Sequence, residues 1–132
     1  IVLHGYGQLA EHFIRKFHQL PENYYIVAPE AMHHFYLNGS SGRVGASWMT
    51  KEDRTSDIND YIYFLDNIVS KLNLPENIKI TAFGFSQGAA TITRWIEKSS
   101  YKIENLVIWG GVFPEDVEII TSKLVDKNEY CF

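Results

Sequence analysis

The fold is decided by Ala82-Phe83-Gly84-Phe85-Ser86-Gln87-Gly88-Ala89. Its core is a G-x-S-x-G motif, Gly84-Phe85-Ser86-Gln87-Gly88. The apolar run 78–83 leads into it and reads as a strand. Residues 88–96 lead out, with Ala89, Ile92, Thr93 and Ile96 on one face of a helix. On such a strand-to-helix turn a serine is held in a strained conformation that pushes Oγ into the open. Glycines at 84 and 88 remove side chains that would strike the neighbouring strand and helix. The N-terminus of the new helix turns free N–H groups and the positive end of its dipole towards the site. With Gly and Ser each near 7% of residues, a chain of this length shows such a match by chance about 0.04 times. The bland alternative is a tight β-to-α turn that happens to contain serine. The strand before the motif and the helix after it favour the functional reading.

Upstream, 1–3 is a short apolar strand ended by His4-Gly5-Tyr6-Gly7. Leu9, Phe13, Phe17 and Leu20 recur at near-helical spacing, so 9–20 reads as an amphipathic helix stopped by Pro21. Residues 24–28, Tyr-Tyr-Ile-Val-Ala, read as a second strand. Residues 31–52 show no sustained period and are expected to form a long loop of the functional kind. Ile58, Tyr61, Ile62, Leu65, Ile68, Val69 and Leu72 make the clearest helical stripe, with Thr55 or Ser56 as its cap. Downstream, 105–109 is a strand ended by Gly110-Gly111, 116–125 a helix, and Tyr130 opens another strand.

Strands alternating with helices imply parallel pairing through right-handed crossovers. Near-continuous apolar strands imply a sheet covered on both faces. The expectation is therefore one α/β domain over 1–132, an open and mostly parallel sheet with helices on both faces. Ile1 is not Met, and 130–132 look like the start of a buried strand. Both features lead us to expect the middle portion of a longer chain.

The 132 residues carry 45% apolar side chains and a net charge of −4. The longest basic run is Arg15-Lys16, which excludes a nucleic-acid footprint. No apolar stretch approaches the roughly 20 residues that span a bilayer. Cys131 is the lone cysteine, so there is no disulfide framework or thiolate metal cluster. A reducing, cytoplasmic setting is the corresponding expectation.

An acyl-transfer site needs two N–H donors aimed at the developing oxyanion. On this kind of elbow one comes from the residue after the serine, here Gln87. The other comes from a loop carrying an H-G-type motif. Alone, His4-Gly5-Tyr6-Gly7 reads equally well as a helix-entry turn. With the elbow about 80 residues downstream in a β/α alternation, it gains weight.

Leu3-His4-Gly5-Tyr6-Gly7, Ala28-Pro29, Ser47-Trp48 and the segment 82–89 resemble the phospholipase/carboxylesterase family, which includes acyl-protein thioesterases. The resemblance spans nearly the whole chain. It implies an α/β-hydrolase fold, Ser-Asp-His catalysis, carboxylic ester or thioester substrates and no cofactor or metal. It also implies Ser86 as nucleophile, with the N–H groups of Gln87 and Tyr6 as the oxyanion hole. Trp48 and Met49 would line an acyl pocket; the alternative is that they anchor their loop on the core. There are two departures, Ala89 for a second glycine and Gln8 for an acidic residue. The second leaves the polar support of the oxyanion loop open.

A base and an orienting carboxylate complete such a site, in chain order Ser, Asp or Glu, His. All five histidines, His4, His12, His18, His33 and His34, precede Ser86. The acid and base are therefore expected beyond Phe132, and the chain alone is expected to turn over little. Asp126 reads as a helix-end or loop residue, and Glu115 and Asp116 as a helix start. His33 and His34 read as loop histidines rather than a substitute base or a metal pair. Trp95 reads as packing; Trp109 is open to either role. The rival function is a non-catalytic α/β module that binds acyl or other small ligands in the same cleft. Acyl transfer to an acceptor other than water is a third.

Overall fold

A computed structural model describes residues 1–118 and, for 129–131, the backbone. The expected helix at 116–125 falls largely outside those residues, and so does Asp126.

Four strands form one parallel sheet: β1 (Val2–Leu3), β4 (Thr81–Phe85), β5 (Asn105–Trp109) and β6 (Glu129–Cys131), in that spatial order. Val2 lies opposite Phe83, Phe83 opposite Val107, and Val107 opposite Tyr130. The expected parallel pairing is present. The strand expected at 78–83 begins three residues later, at Thr81; the N–H of Ile78 is instead turned back to Pro75 O (3.0 Å).

Alternation along β4 sorts the layers. Ala82 and Gly84 are buried against α3 (Gln87–Lys98), where Ile92 Cγ2 crowds the Gly84 position. Phe83 and Phe85 face the other way. There they meet Phe13 and Phe17, with ring centroids 5.1 to 6.2 Å apart. Helical turns thus cover both faces. Helix α2 (Arg54–Lys71) packs against α3 and buries Ile58, Tyr61, Leu65 and Val69, a subset of the stripe read from the sequence. Burial of Ile58, Leu65 and Val69 stabilises the fold by roughly 1.5–3 kcal/mol each.

Four local expectations are corrected. The helix read at 9–20 is one α-turn, α1 (Ala10–Phe13), followed by a 3-10 turn (Ile14–Phe17). Beyond Phe17 the side chains are exposed, so no apolar contact extends it. The run 24–28 joins the sheet through a single bond, Val2 N–H to Val27 O (2.9 Å), and Tyr25 is 87% exposed. Its β-propensity is real, but the ladder needed to make it a strand is missing. The cap of α2 is neither Thr55 nor Ser56 but Asp53, in the left-handed region at φ 46°. Ser56 Oγ instead donates to Asp53 Oδ1 (2.9 Å).

The fourth correction matters most. Within 31–52 lies an antiparallel hairpin, β2 (His33–Asn38) and β3 (Ser41–Ser47). The signal for it is Asn38-Gly39, the strongest short-range hairpin signature. Gly39 takes φ 60° at the bend, where a residue with Cβ is strained. The glycine-rich composition around it obscured the period.

Candidate active site

Ser86 sits between the end of β4 and the first turn of α3, with φ 53° and ψ −114°. It is one of three described non-glycine residues at positive φ. Its N–H donates to Trp109 O (3.0 Å) and its carbonyl accepts Ala89 N–H (3.0 Å). Those two bonds fix the peptide planes on either side of the strained residue. Among the described residues Ser86 Oγ has no hydrogen-bond partner, and the residue is half-buried.

The glycines of the elbow are there for space. A Cβ on Gly84 would lie 2.5 Å from Ala89 Cα and 2.6 Å from Gly88 O. One on Gly88 would run into the carbonyl oxygens of Leu3 and His4. Gly111 meets Ala89 Cβ and Ser86 O in the same way. These partners are backbone or short side chains and cannot swing aside. Gly88→Ala would gain about 1 kcal/mol of helix propensity at an open site. Overpacking against fixed backbone costs roughly 1–3 kcal/mol, occasionally more. We expect the clash to win, lowering the urea midpoint of Gly88→Ala; an unchanged or raised midpoint would show that β1 gives way.

The turn after β1 lies directly against the serine. A Cβ on Gly5 would stand 2.9 Å from the Phe85 ring and 3.2 Å from Ser86 Cβ. Gly5 N–H donates to Gln8 Oε1 (2.9 Å), so the Gln8 side chain braces this turn. The N–H groups of Tyr6 and Gln87 find no acceptor among the described residues.

Gln87 also joins two segments through its side chain. Its Nε2 donates to Met49 O (2.8 Å) and Ser47 Oγ (3.1 Å), while Oε1 accepts Trp48 N–H (3.0 Å). One residue earlier, Ala46 exchanges bonds with the turn: Gly7 N–H to Ala46 O (2.9 Å) and Ala46 N–H to Gln8 O (3.1 Å). The end of β3 therefore ties the elbow to the glycine turn. No sequence signal marked this role, because it depends on where the hairpin docks.

Trp48 is fully enclosed, and its Nε1 donates to His4 O (2.9 Å). As placed, it packs the segment onto the core rather than lining an open cleft. Met49 is half-buried with Sδ 3.7 Å from Arg94 Nη1. Trp95 is buried in the core and Trp109 is half-exposed.

His4 is buried against Trp48, ring centroids 5.3 Å apart. Nδ1 lies 2.8 Å from Gly5 O, and Nε2 accepts Ala31 N–H (3.1 Å). Both nitrogens are occupied, and the ring must be neutral, because a proton on Nε2 would face another donor. Burial, the largest cause, holds its pKa below the usual histidine value. The folded state thus resists a proton that the unfolded chain takes up below about pH 6.5. Stability from this group is complete above that pH and falls as the solution is acidified below it. Urea unfolding should show a loss between pH 7.5 and pH 5 that is smaller in His4→Gln; identical slopes would remove His4 from the account.

His18, His33, His34 and Asp116 are partnered elsewhere. His33 Nε2 lies 3.1 Å from Asp57 Oδ1, and His34 Nε2 lies 3.3 Å from Glu30 Oε1. His18 Nδ1 contacts Arg15 O. Asp116 is gripped by Arg94 through both oxygens (2.7 and 3.0 Å) and by Arg54 (2.9 Å). The Arg94 bonds above all hold its carboxyl far below the usual carboxylate range. Among the described residues no histidine is hydrogen-bonded to Ser86. Among the described residues no three His, Cys, Asp or Glu side chains gather as a metal site. Among them, too, no helix is long and apolar enough to cross a membrane.

Fold and site together define a mixed α/β protein whose parallel sheet carries a strained serine at a strand-to-helix turn. No family model, no curated protein and no solved structure matches the chain.

Proposed function

We propose that this protein is a serine hydrolase of the α/β-hydrolase type that cleaves carboxylic esters or thioesters through an acyl-enzyme on Ser86. The observation that carries the reading is Ser86 itself, at φ 53° on the elbow with its Oγ unengaged among the described residues. A strained non-glycine residue costs of order 1–3 kcal/mol and persists where the strain is put to use.

In the proposed reaction Ser86 Oγ attacks the substrate carbonyl and its proton passes to a general base. The N–H groups of Gln87 and Tyr6 receive the oxyanion, without reorganisation, because both are already free of other acceptors. The C–O or C–S bond breaks, the alcohol or thiol leaves with the proton, and water releases the acid from the acyl-enzyme. The reading needs a histidine base and an orienting carboxylate in addition to the groups described above. His4 is committed to Gly5 and Ala31, and Asp116 to two arginines. The reading therefore takes the triad acid and base from other residues than these, in the usual chain order.

The test is reaction of the full-length natural protein with a fluorophosphonate, followed by peptide mass mapping. Modification of Ser86 at a rate far above that of the unfolded chain supports an activated nucleophile. A folded protein that does not react sinks the hydrolase reading and leaves a ligand-binding cleft in its place.

A further inference from the structure

Beside the serine stands an aromatic surface that the hydrolysis itself does not use. Tyr6 is 60% exposed, although its neighbour Gly5 is buried against Phe85 and Ser86. Its ring lies against Phe35 of β2, centroids 4.9 Å apart and planes tilted by 30°. Phe35 is paired with Gly45 across the hairpin, so it has no side chain opposite it and its ring is left for Tyr6. Gly45 in turn abuts the backbone of Gly7 so closely that no Cβ fits between them. Leu37, on the same face of β2, reaches within 3.2 Å of where a Gly7 Cβ would stand. The two rings are thus held by backbone packed against backbone. Tyr6 carries its ring on the same short turn as its N–H, and Phe35 of β2 lies against that ring.

We propose that the Tyr6–Phe35 pair is a substrate subsite that selects esters carrying an aromatic group next to the scissile carbonyl. This deepens the hydrolase reading and rests on it. The occupant follows from position and chemistry. Tyr6 carries both the N–H that would receive the oxyanion and one ring of the pair, so a substrate bound at that N–H has a substituent within reach of the ring. A ring stacks there in an offset or tilted arrangement, which a flexible alkyl chain of equal size cannot match. The pre-set pair pays little conformational entropy on binding, because each ring has only two side-chain torsions.

Two phosphonofluoridates with the same reacting head decide the matter, one bearing a phenyl group and one a straight alkyl chain of equal heavy-atom number. The second-order rate of Ser86 modification is measured for each with the native protein, Tyr6→Ala and Phe35→Leu. We expect a phenyl-to-alkyl ratio of about three to ten in the native protein, the range of one aromatic contact. It should fall towards one in both variants. Phe35→Leu keeps apolar bulk on the hairpin and decides the question if Tyr6→Ala does not fold. A native ratio near one, or a ratio that neither variant changes, overturns the subsite. Modification without discrimination rejects the subsite alone, whereas no modification by either probe rejects the hydrolase reading and the subsite with it.

Discussion

Ser86→Ala is expected to abolish covalent labelling by a fluorophosphonate and to lower any esterase activity by at least about three orders of magnitude. The loss should come without a loss of fold. Ser86 Oγ makes no hydrogen bond among the described residues, so its removal orphans no partner there. The φ of 53° strains alanine as much as serine, leaving the strain unchanged. The urea midpoint should therefore correspond to a change within about 0.5 kcal/mol, the usual range for a substitution that breaks no contact. The pairing of the two results is what identifies a nucleophile. A merely structural serine would lower the midpoint when replaced. A binding cleft without an activated serine would show no labelling in the native protein either. Labelling that persists in Ser86→Ala, mapped to another residue, would move the chemistry away from the elbow.

The second large effect belongs to Trp48. Trp48→Ala is expected to cost about 3–5 kcal/mol, the range for emptying a buried aromatic position. The indole is fully enclosed in the cluster formed by Leu3, Tyr61, Leu65, Ala82, Ile92 and Trp95. Its loss also removes the Nε1 bond to His4 O, inside a segment where a new orphan acceptor finds no water easily. Trp48→Phe retains most of the ring volume and loses mainly that bond, so it should cost clearly less. Urea unfolding followed by far-ultraviolet circular dichroism gives both values independently of the lost fluorophore. A cost below about 1 kcal/mol for Trp48→Ala would mean the indole is not part of the core. That outcome would return Trp48 to the acyl-pocket role read from the sequence.

Local patterns were most legible where one period ran without interruption. The stripe Ile58, Tyr61, Leu65 and Val69 was visible because a long helix repeats its buried face several times. The strand Asn105–Trp109 was visible because it is apolar, short and bounded by glycines. The elbow was visible because only a few residue types tolerate its crowding. The hairpin His33–Asn38 and Ser41–Ser47 escaped because glycine and serine dilute its alternation, although Asn38-Gly39 marked its bend. The run 24–28 misleads for the opposite reason. Tyrosine, isoleucine and valine favour extended backbone, but a strand also needs a partner, and only Val27 found one.

The sequence by itself determined that Ser86 stands at a strand-to-helix turn, because Gly84 and Gly88 are the residues such a crowded turn requires. It also determined the parallel β/α order, since hydrophobic periodicity is a local property of the chain. Tertiary structure alone decided which side chains serve that turn. Gln87 reaches the end of β3 some forty residues away, Trp48 closes over His4, and Phe35 meets Tyr6. Those contacts join segments distant in sequence, and their partners are selected by how the hairpin packs on the sheet, which no local period encodes.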